Sequence, residues 1–356
     1  MLSYYKYKIP FRSAFVSSTS SITGRSGFIL VFEHDGVTAF GEVAPLPGFS
    51  NFSLPEIAII LTRYKKDIEA ALKHGNTQDF LHSISNSHPI SSLIFGLNTL
   101  FADYESKKNK QSLHTFLTGE PAKSVSSNAV LGMQSVNQTL HNSQNLIDEG
   151  FKTLKLKVGV NFPQELEILK AIRTQFPLVK IRLDANQAWT VKEAIKSLNL
   201  LNEIGIEYCE QPIPKDDFKG LAEVRKNTNV KIAADESFRS YEDAEKLLAL
   251  EAVDILIMKP MLYGSFSNIY VTKRLAESLG VDLVFTTSID HIVGRTATAI
   301  LASVWGSNKY AHGLATGSFF EPDLYSTNEV ENGNFILNNS WGLGLTVSYN
   351  NLTEFN

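Results

Sequence analysis

Charged residues recur through the middle of this 356-residue chain at nearly constant intervals. They fall in the motifs Lys155-Leu156-Lys157, Arg182-Leu183-Asp184-Ala185-Asn186, Cys209-Glu210-Gln211-Pro212, Ala234-Asp235-Glu236-Ser237 and Met258-Lys259-Pro260. The steps from position 157 to 184, 210, 235 and 259 are 27, 26, 25 and 24 residues. Each step is about the length of one strand–helix unit, so consecutive strand ends can deliver the whole set to one rim of a parallel barrel, where such folds keep their reactive groups. Carboxylates on adjacent strands can converge on one hard cation, and Mg²⁺, with Mn²⁺ as a substitute, prefers such oxygen donors. Residues two apart on a strand face the same way, so Lys155 and Lys157 both point inward, as do Asp184 and Asn186. Adjacent ammonium groups disfavour each other's protonation and lower a lysine pKa. A lysine base of that kind, facing a small-molecule carboxylate held by the metal, can remove the proton α to the carboxylate, while positive charge stabilises the resulting enediolate.

Each motif alone says little. A charged residue at a strand end is usually solvated, and Asp235-Glu236 is also an ordinary pair for a helix N-terminus. The signal is their common register. Strand parity does not choose between Asp235 and Glu236 as the third ligand.

The elements that must position these groups are legible from Ser126 onward. Short apolar runs occur at Asn128–Leu131, Thr153–Val158, Lys180–Leu183, Ile206–Glu210, Lys231–Ala234, Ile255–Met258, Asp282–Thr286 and Tyr310–Leu314. Between them lie amphipathic stretches such as Pro163–Gln175, Val191–Ile204, Tyr241–Leu250 and Ser267–Leu279. The alternation predicts parallel pairing, and eight such units over about 200 residues predict a (β/α)₈-type barrel. Before it, the sequence reads as mixed α+β. Extended segments at Tyr4–Pro10, Ser26–His34 and Val37–Val43 precede helical stretches at Leu54–His74 and Ser91–Ser106, and Asp35-Gly36 is a hairpin signal. After the barrel, β-like segments at Phe335–Leu337 and Leu345–Tyr349 suggest a tail that returns to the N-terminal region.

Composition removes several classes. A net charge of −4 offers no basic stripe for nucleic acid and no cationic face for a membrane. No apolar run approaches the ~20 residues that span a bilayer, and Met1–Phe15 lacks the apolar centre of a signal peptide. Cys209 is the one cysteine, which forbids an internal disulfide and fits a reducing, cytoplasmic setting. Self-association into a homo-oligomer is neither implied nor excluded.

The lysine pair, the Asp184, Glu210 and Asp235 ladder and Lys259 resemble the metal and base set of the enolase superfamily's muconate-lactonizing subgroup. That resemblance implies a modified (β/α)₇β TIM barrel of the α/β class, with an α+β capping domain built from both termini. The corresponding division is 1–122 for the N-terminal capping part, 123–320 for the barrel and 321–356 for the returning segment. It implies Asp184, Glu210 and Asp235 as metal ligands, Lys157 as the base and Lys259 as the opposite lysine. Further motifs are similar to o-succinylbenzoate synthases: Gly41-Glu42-Val43-Ala44-Pro45-Leu46-Pro47-Gly48-Phe49-Ser50, Arg182 to Thr190, Lys259 to Ser265, and His312 to Gly317. Thr286-Thr287-Ser288-Ile289-Asp290 departs mildly, with Asp where that family often has Glu.

The activity so implied is a hydro-lyase step of menaquinone biosynthesis. It dehydrates 2-succinyl-6-hydroxy-2,4-cyclohexadiene-1-carboxylate to o-succinylbenzoate, with Lys157 as base and then acid. Lys259 would stabilise the enediolate, Lys155 and Asn186 would orient the carboxylate, and Gly264, Ser265 and Thr286 would receive the succinyl tail. Arg182 is either a support or a substrate contact, and Pro45–Ser50 is a candidate lid. The same residues also serve N-acylamino-acid racemases and dipeptide epimerases. The latter usually carry an Asp-x-Asp where this chain reads Leu314-Ala315-Thr316-Gly317. A catalytically inactive barrel acting as a binding protein would tolerate loss of a lysine or acid, and none is missing.

Overall fold

The computed structural model describes residues 1–16, 21–321, 330–349 and 352–355. Strands β1 (Leu2–Val16), β2 (Ser21–His34) and β3 (Val37–Val43) form an antiparallel meander. Asp35 and Gly36 both take positive φ, 50° and 74°, as a two-residue hairpin with the right-handed strand twist requires. Helices α1 (Leu54–His74), α2 (Thr77–Ser87), α3 (Ser91–Lys108) and α4 (Leu113–Thr118) follow. The sequence reading missed α2 and α4. The start of α1 is set by Ser53, whose N–H donates to the Glu56 carboxylate at 2.7 Å, and its end by Gly75 at φ 76°.

Helix α3 is apolar nearly all round because it lies between the meander and the barrel, and Phe95, Leu97 and Leu100 are fully buried. It crosses β3 backbone to backbone. A Cβ on Gly96 would stand 2.5 Å from Val43 Cγ2 and 2.6 Å from the Glu42 carbonyl, and one on Gly41 would strike the Gly96 carbonyl. Asp103 on the same helix accepts from Phe40 N at 2.8 Å and Leu343 N at 2.7 Å, which ties β3, α3 and the tail together.

The parallel sheet begins after the short β4 (Val125–Ser126). Its units are β5 (Ala129–Leu131) with α5 (Val136–Asp148), β6 (Thr153–Lys157) with α6 (Phe162–Gln175), and β7 (Lys180–Asp184) with α7 (Val191–Leu200). Next come β8 (Ile206–Glu210) with α8 (Phe218–Lys226) and β9 (Ile232–Ala234) with α9 (Tyr241–Ala249). The last units are β10 (Ile255–Met258) with α10 (Pro260–Tyr263) and α11 (Phe266–Ser278), then β11 (Asp282–Phe285) with α12 (Ile292–Trp305). These seven strands pair in sequence order from β5 to β11.

The expected eighth strand at Tyr310–Leu314 does not form as a ladder. Two isolated parallel bridges, Thr286↔Gly313 and Ser127↔His312, close the ring instead. Asn128 N donates to the His312 carbonyl at 2.9 Å and Gly313 N to Phe285 at 2.8 Å. Directly afterwards the chain turns into a 3₁₀ segment, Ala315–Phe319, which ends the extended run. The result is the modified enolase-type TIM barrel, with helical capping from the terminal regions.

In the tail, β12 (Val330–Glu331) and β13 (Asn334–Phe335) pair back on β4, and β14 (Thr353–Phe355) joins the edge of β1 with Tyr4 opposite Phe355. Leu345–Tyr349, expected as β-like, carries no strand. No helix among the described residues is long and apolar enough to cross a membrane.

The glycine crossing makes a clear prediction. Gly96→Ala should cost about 1–3 kcal/mol, because its neighbours are backbone and a buried valine that cannot retreat. Gly132→Ala, with nothing within 4 Å of the added carbon, is the control. Equal melting temperatures for the two variants would show that the approach is looser than described.

Candidate active site

Strand register assembles the site. Lys157, Asp184 and Glu210 are the last residues of β6, β7 and β8, and they lie opposite one another in a single cross-sheet row. Asp235 and Lys259 each follow their strand, β9 or β10, by one residue. All these groups therefore reach the C-terminal rim of the barrel. The backbone just beyond the acids is strained: Asn186, Gln187 and Gln211 have φ of 42°, 69° and 40°. Hydrogen bonds hold these turns. Gln187 N donates to the Gln211 carbonyl at 2.8 Å, and the Gln211 side-chain oxygen accepts from Asp235 N at 3.1 Å and Ser237 N at 3.0 Å. The sequence reading passed over Gln211, although its place between Glu210 and Pro212 at a strand end was visible.

Charge is distributed unevenly among the lysines. Lys155 Nζ lies 2.7 Å from Glu210 Oε1 and 2.9 Å from Asp184 Oδ2. Burial opposes its charge, but the paired carboxylates outweigh that and raise its pKa well above the ordinary lysine value. Lys157 goes the other way. Its pKa is lowered, first by burial and also by the neighbouring Lys155, against the pull of Asp184. The mutual lowering expected of the pair therefore applies to Lys157 alone, and burial is its main cause.

Lys259 Nζ is bidentate on Asp235, at 2.6 and 2.5 Å. Burial acts against the Asp235 charge, yet Lys259 and then Arg239 hold its pKa well below the usual range. Arg239 Nη1 is 3.9 Å from Asp235 Oδ1, and its guanidinium stands 5.0 Å from the ring centre of Phe49, which is also 5.7 Å from Lys259 Nζ. The loop carrying Phe49 thus packs over the lysine.

Among the described residues, no three of His, Cys, Asp and Glu are arranged so that they could hold a metal ion together. Their cationic partners here are Lys155 and Lys259. The donor chemistry nevertheless suits a hard divalent cation. Asp184, Glu210 and Asp235 offer only oxygen from adjacent strand ends, and Glu236 adds a buried Oε2 with no hydrogen-bond partner. Asn186 links this fourth carboxylate to the row, with Nδ2 donating to Glu236 Oε1 at 3.4 Å.

Several motif residues prove to be scaffold. Arg182 is fully buried in the barrel floor. It pairs with Glu207 at 2.5 Å, donates to the Ala311 carbonyl at 2.6 Å and stacks on Tyr208 at 4.6 Å, so it is a support. Glu42 accepts from Tyr7 Oη at 2.6 Å, His291 N at 2.8 Å and Gly294 N at 2.7 Å. Burial, with Asp290 adding, pushes its pKa up to about 7. Arg25 donates to the carbonyls of Ala44 at 2.7 Å, Pro45 at 2.8 Å and Ile289 at 3.1 Å, which pins the base of the candidate lid to the end of β11.

Gly264 packs on Ser91 of α3 and Ser265 precedes α11; neither is among the residues that line the cavities of ≈ 660 and ≈ 430 Å³. Thr286 Oγ1 donates to the Gly313 carbonyl at 3.1 Å and lines a cavity of ≈ 660 Å³ at the barrel mouth, together with Lys155, Tyr208 and Glu210. Cys209 is fully buried, and burial raises its thiol pKa far from reactivity. His291 and His312 are held down to about 3 by burial, with Arg295 and Arg182 respectively adding to it, so both are neutral near pH 7.

Comparison with known proteins narrows the chemistry. Residues 1–100 match a family described as MenC, N-terminal domain, a region that contains none of the rim acids or lysines. Over 83% of this chain and 84% of its own length, the L-amino acid-D/L-Glu epimerase of Francisella philomiragia is 25% identical. The L-Ala-D/L-Glu epimerase of Thermotoga maritima is 26% identical over 93% of each chain. A solved dipeptide epimerase from Enterococcus faecalis, complexed with Mg and the dipeptide L-Leu-L-Tyr, superposes with a TM-score of 0.83 at 24% identity, covering 96% of this chain and 98% of that one.

These relatives overturn the expected o-succinylbenzoate synthase, and with it the hydro-lyase, dehydratase and menaquinone assignments. The physical reason is that α-proton removal is common to dehydration and epimerisation, so a set of residues suited to that step does not say what leaves. The additional motifs that suggested the dehydratase, around Glu42 and Arg182, do interior structural work. Residues 138–351, well over half of the chain, match the family described as enolase C-terminal domain-like, and the chain belongs to that family.

Proposed function

We propose that this protein is an epimerase or racemase that inverts the α-carbon of an acylated amino acid, either a dipeptide or an N-acyl amino acid, with Mg²⁺ as cofactor. The observation that supports it is the flanking of the acidic row. In the sheet order, β6 with Lys157 and β10 with Lys259 stand on either side of β7, β8 and β9, which lead to Asp184, Glu210 and Asp235. A substrate carboxylate held over the row has a lysine on each side of its α-carbon.

Asp184, Glu210 and Asp235 would hold a divalent cation, which when bound would supply positive charge that acidifies the α-proton of a substrate carboxylate. With the row held by such a cation, Lys259 would no longer be needed as the counter-charge of Asp235. One lysine then accepts the α-proton on its face, and the ammonium of the other donates a proton to the opposite face. One C–H bond breaks and another forms, the configuration inverts, and nothing else leaves. The lowered pKa of Lys157 suits it to act as a base, since burial keeps more of it neutral. Lys155 stays charged beside Asp184 and Glu210 and orients the carboxylate together with Asn186. Thr286 lines the cavity that receives the acyl side. The stretch Leu314–Gly317 offers no carboxylate to an α-ammonium, so N-acyl amino acids belong in the substrate panel beside dipeptides.

Solvent-deuterium exchange at the α-carbon tests the two-lysine reading. Lys157→Ala should abolish exchange from one enantiomer or epimer and Lys259→Ala from the other. Epimerisation should fall by roughly 10²–10⁴-fold in each, with melting behaviour retained. Exchange of both configurations in either variant would remove that lysine from the mechanism.

Metal removal is a separate measurement. Exhaustive chelation should stop turnover and Mg²⁺ or Mn²⁺ should restore it, whereas full activity in metal-free protein would exclude the acidic row as a cation site.

A further inference from the structure

Asp235 and Glu236 are neighbours in the chain, yet only Asp235 joins the row, where Lys259 Nζ holds it at 2.6 and 2.5 Å. Glu236 lines a cavity of ≈ 430 Å³ with Phe49 and Gln187. Among the described residues its Oε2 has no hydrogen-bond partner, and its Oε1 has a long contact, 3.4 Å, with Asn186 Nδ2. The strand does not make this choice. β9 has three residues and ends at Ala234. Its register with β8 runs over Cys209↔Ile232 and Glu210↔Ala233, and with β10 over Ile255↔Ala233 and Leu256↔Ala234. Asp235 lies beyond both ladders.

The next rung of the β8–β9 ladder is made in an unusual way. Successive carbonyls of a parallel strand point alternately to its two neighbours. Gln211 N donates to the Ala233 carbonyl at 2.9 Å, so a regular ladder would continue with Asp235 N donating to the Gln211 carbonyl. Gln211 has φ 40°, however, and its carbonyl turns to the β7 side, where it accepts from Gln187 N at 2.8 Å. Its side chain takes the carbonyl's place. Oε1 accepts from Asp235 N at 3.1 Å and from Ser237 N at 3.0 Å. Both of these backbone groups can only donate, which fixes the orientation of the amide. Nε2 donates to the Ile213 carbonyl at 3.0 Å and to Ser237 Oγ at 2.7 Å. Gln211 is fully buried, and its amide uses both lone pairs and both N–H groups.

We propose that Gln211 is a positioning residue for the acidic row: its side-chain amide replaces a rung of the β8–β9 ladder and so decides that Asp235, and not Glu236, faces the cation. The inference rests on the cation site proposed above and deepens it. Adjacent side chains leave an extended backbone on opposite faces, so a rotation of this one turn would exchange the two acids. Glu236, with an oxygen unpartnered, is the competitor that the rung keeps out of the row.

The test measures Mn²⁺ binding by calorimetry in Asp235→Asn and in Glu236→Gln, each made in the wild-type and in a Gln211→Ala background. With Gln211 present, Asp235→Asn should weaken binding much more than Glu236→Gln. Gln211→Ala alone should weaken it roughly 10–100-fold, the usual cost of losing a group that orients a metal ligand. In that background the gap between the two acid substitutions should largely close. A merely loosened fold would weaken binding throughout and leave the gap in place. Ser237→Ala removes the hydroxyl that accepts from Gln211 Nε2 and should narrow the gap in the same direction, so it decides the matter should Gln211→Ala fail to fold. A second readout needs no metal: amide hydrogen exchange at Asp235 and Ser237 should speed up in Gln211→Ala, or in Ser237→Ala, while the amides of β8 stay protected. A gap that survives intact, or unchanged exchange at both amides, would overturn the role of Gln211 and leave the cation site standing. If the wild-type protein bound no Mn²⁺, the cation site would fall instead. Exchange would then decide for Gln211 alone, faster exchange supporting its hold on the Asp235 turn and unchanged exchange overturning it.

Discussion

Asp184, Glu210 and Asp235 are 5%, 2% and 4% exposed, and a buried ionised carboxylate is costly unless a cation stays beside it. Lys155 bridges the first two and Lys259 clasps the third. The row is thus held in place by ion pairs with lysines from neighbouring strands. Lys157 is set apart because burial acts on it with weaker compensation.

Holding such a row requires a rigid rim, and much of the surrounding polar structure serves that end. Gln211 braces the turns after β8 and β9 with one side-chain oxygen, at 3.1 and 3.0 Å from Asp235 N and Ser237 N. Arg182 reaches across the interior from β7 to the Ala311 carbonyl, beside the seam where only His312 and Gly313 close the ring. A buried guanidinium can join strands that share few backbone hydrogen bonds, because its donors fan out in a plane. Arg25 and Glu42 perform the equivalent task between the meander and the β11 end, and so fix where the Phe49 loop starts.

These roles explain why the motif-based reading reached the right superfamily and the wrong reaction. Residues that open an α C–H bond are shared by every enzyme that begins that way. Residues around Glu42 and Arg182 are constrained by packing between distant elements, so their likeness to one group of enzymes carries little about substrate. The groups that line the two cavities, among them Phe49, Ser92, Lys215, Arg239 and Thr286, are far apart in sequence, so no motif spans them.

What the sequence determined by itself is local and periodic. The steps of 24–27 residues put Lys157, Asp184, Glu210, Asp235 and Lys259 at consecutive strand ends, because a strand–helix unit has a nearly fixed length. The Asp35-Gly36 hairpin and the full extent of α1 were equally legible, since turn and cap chemistry act within a few residues. Short helices such as α2 and α4 were not, because few turns give little periodicity. Only the tertiary structure decided that Lys155 is paired while Lys157 has its pKa lowered, that Arg182 is buried against Glu207 and Tyr208, that Gly264 packs on Ser91, and that the last strand shrinks to two bridges. Each of these depends on burial or on a partner tens to hundreds of residues away, such as Arg25 on Ile289 or Phe49 on Lys259, and no local pattern encodes such a distance.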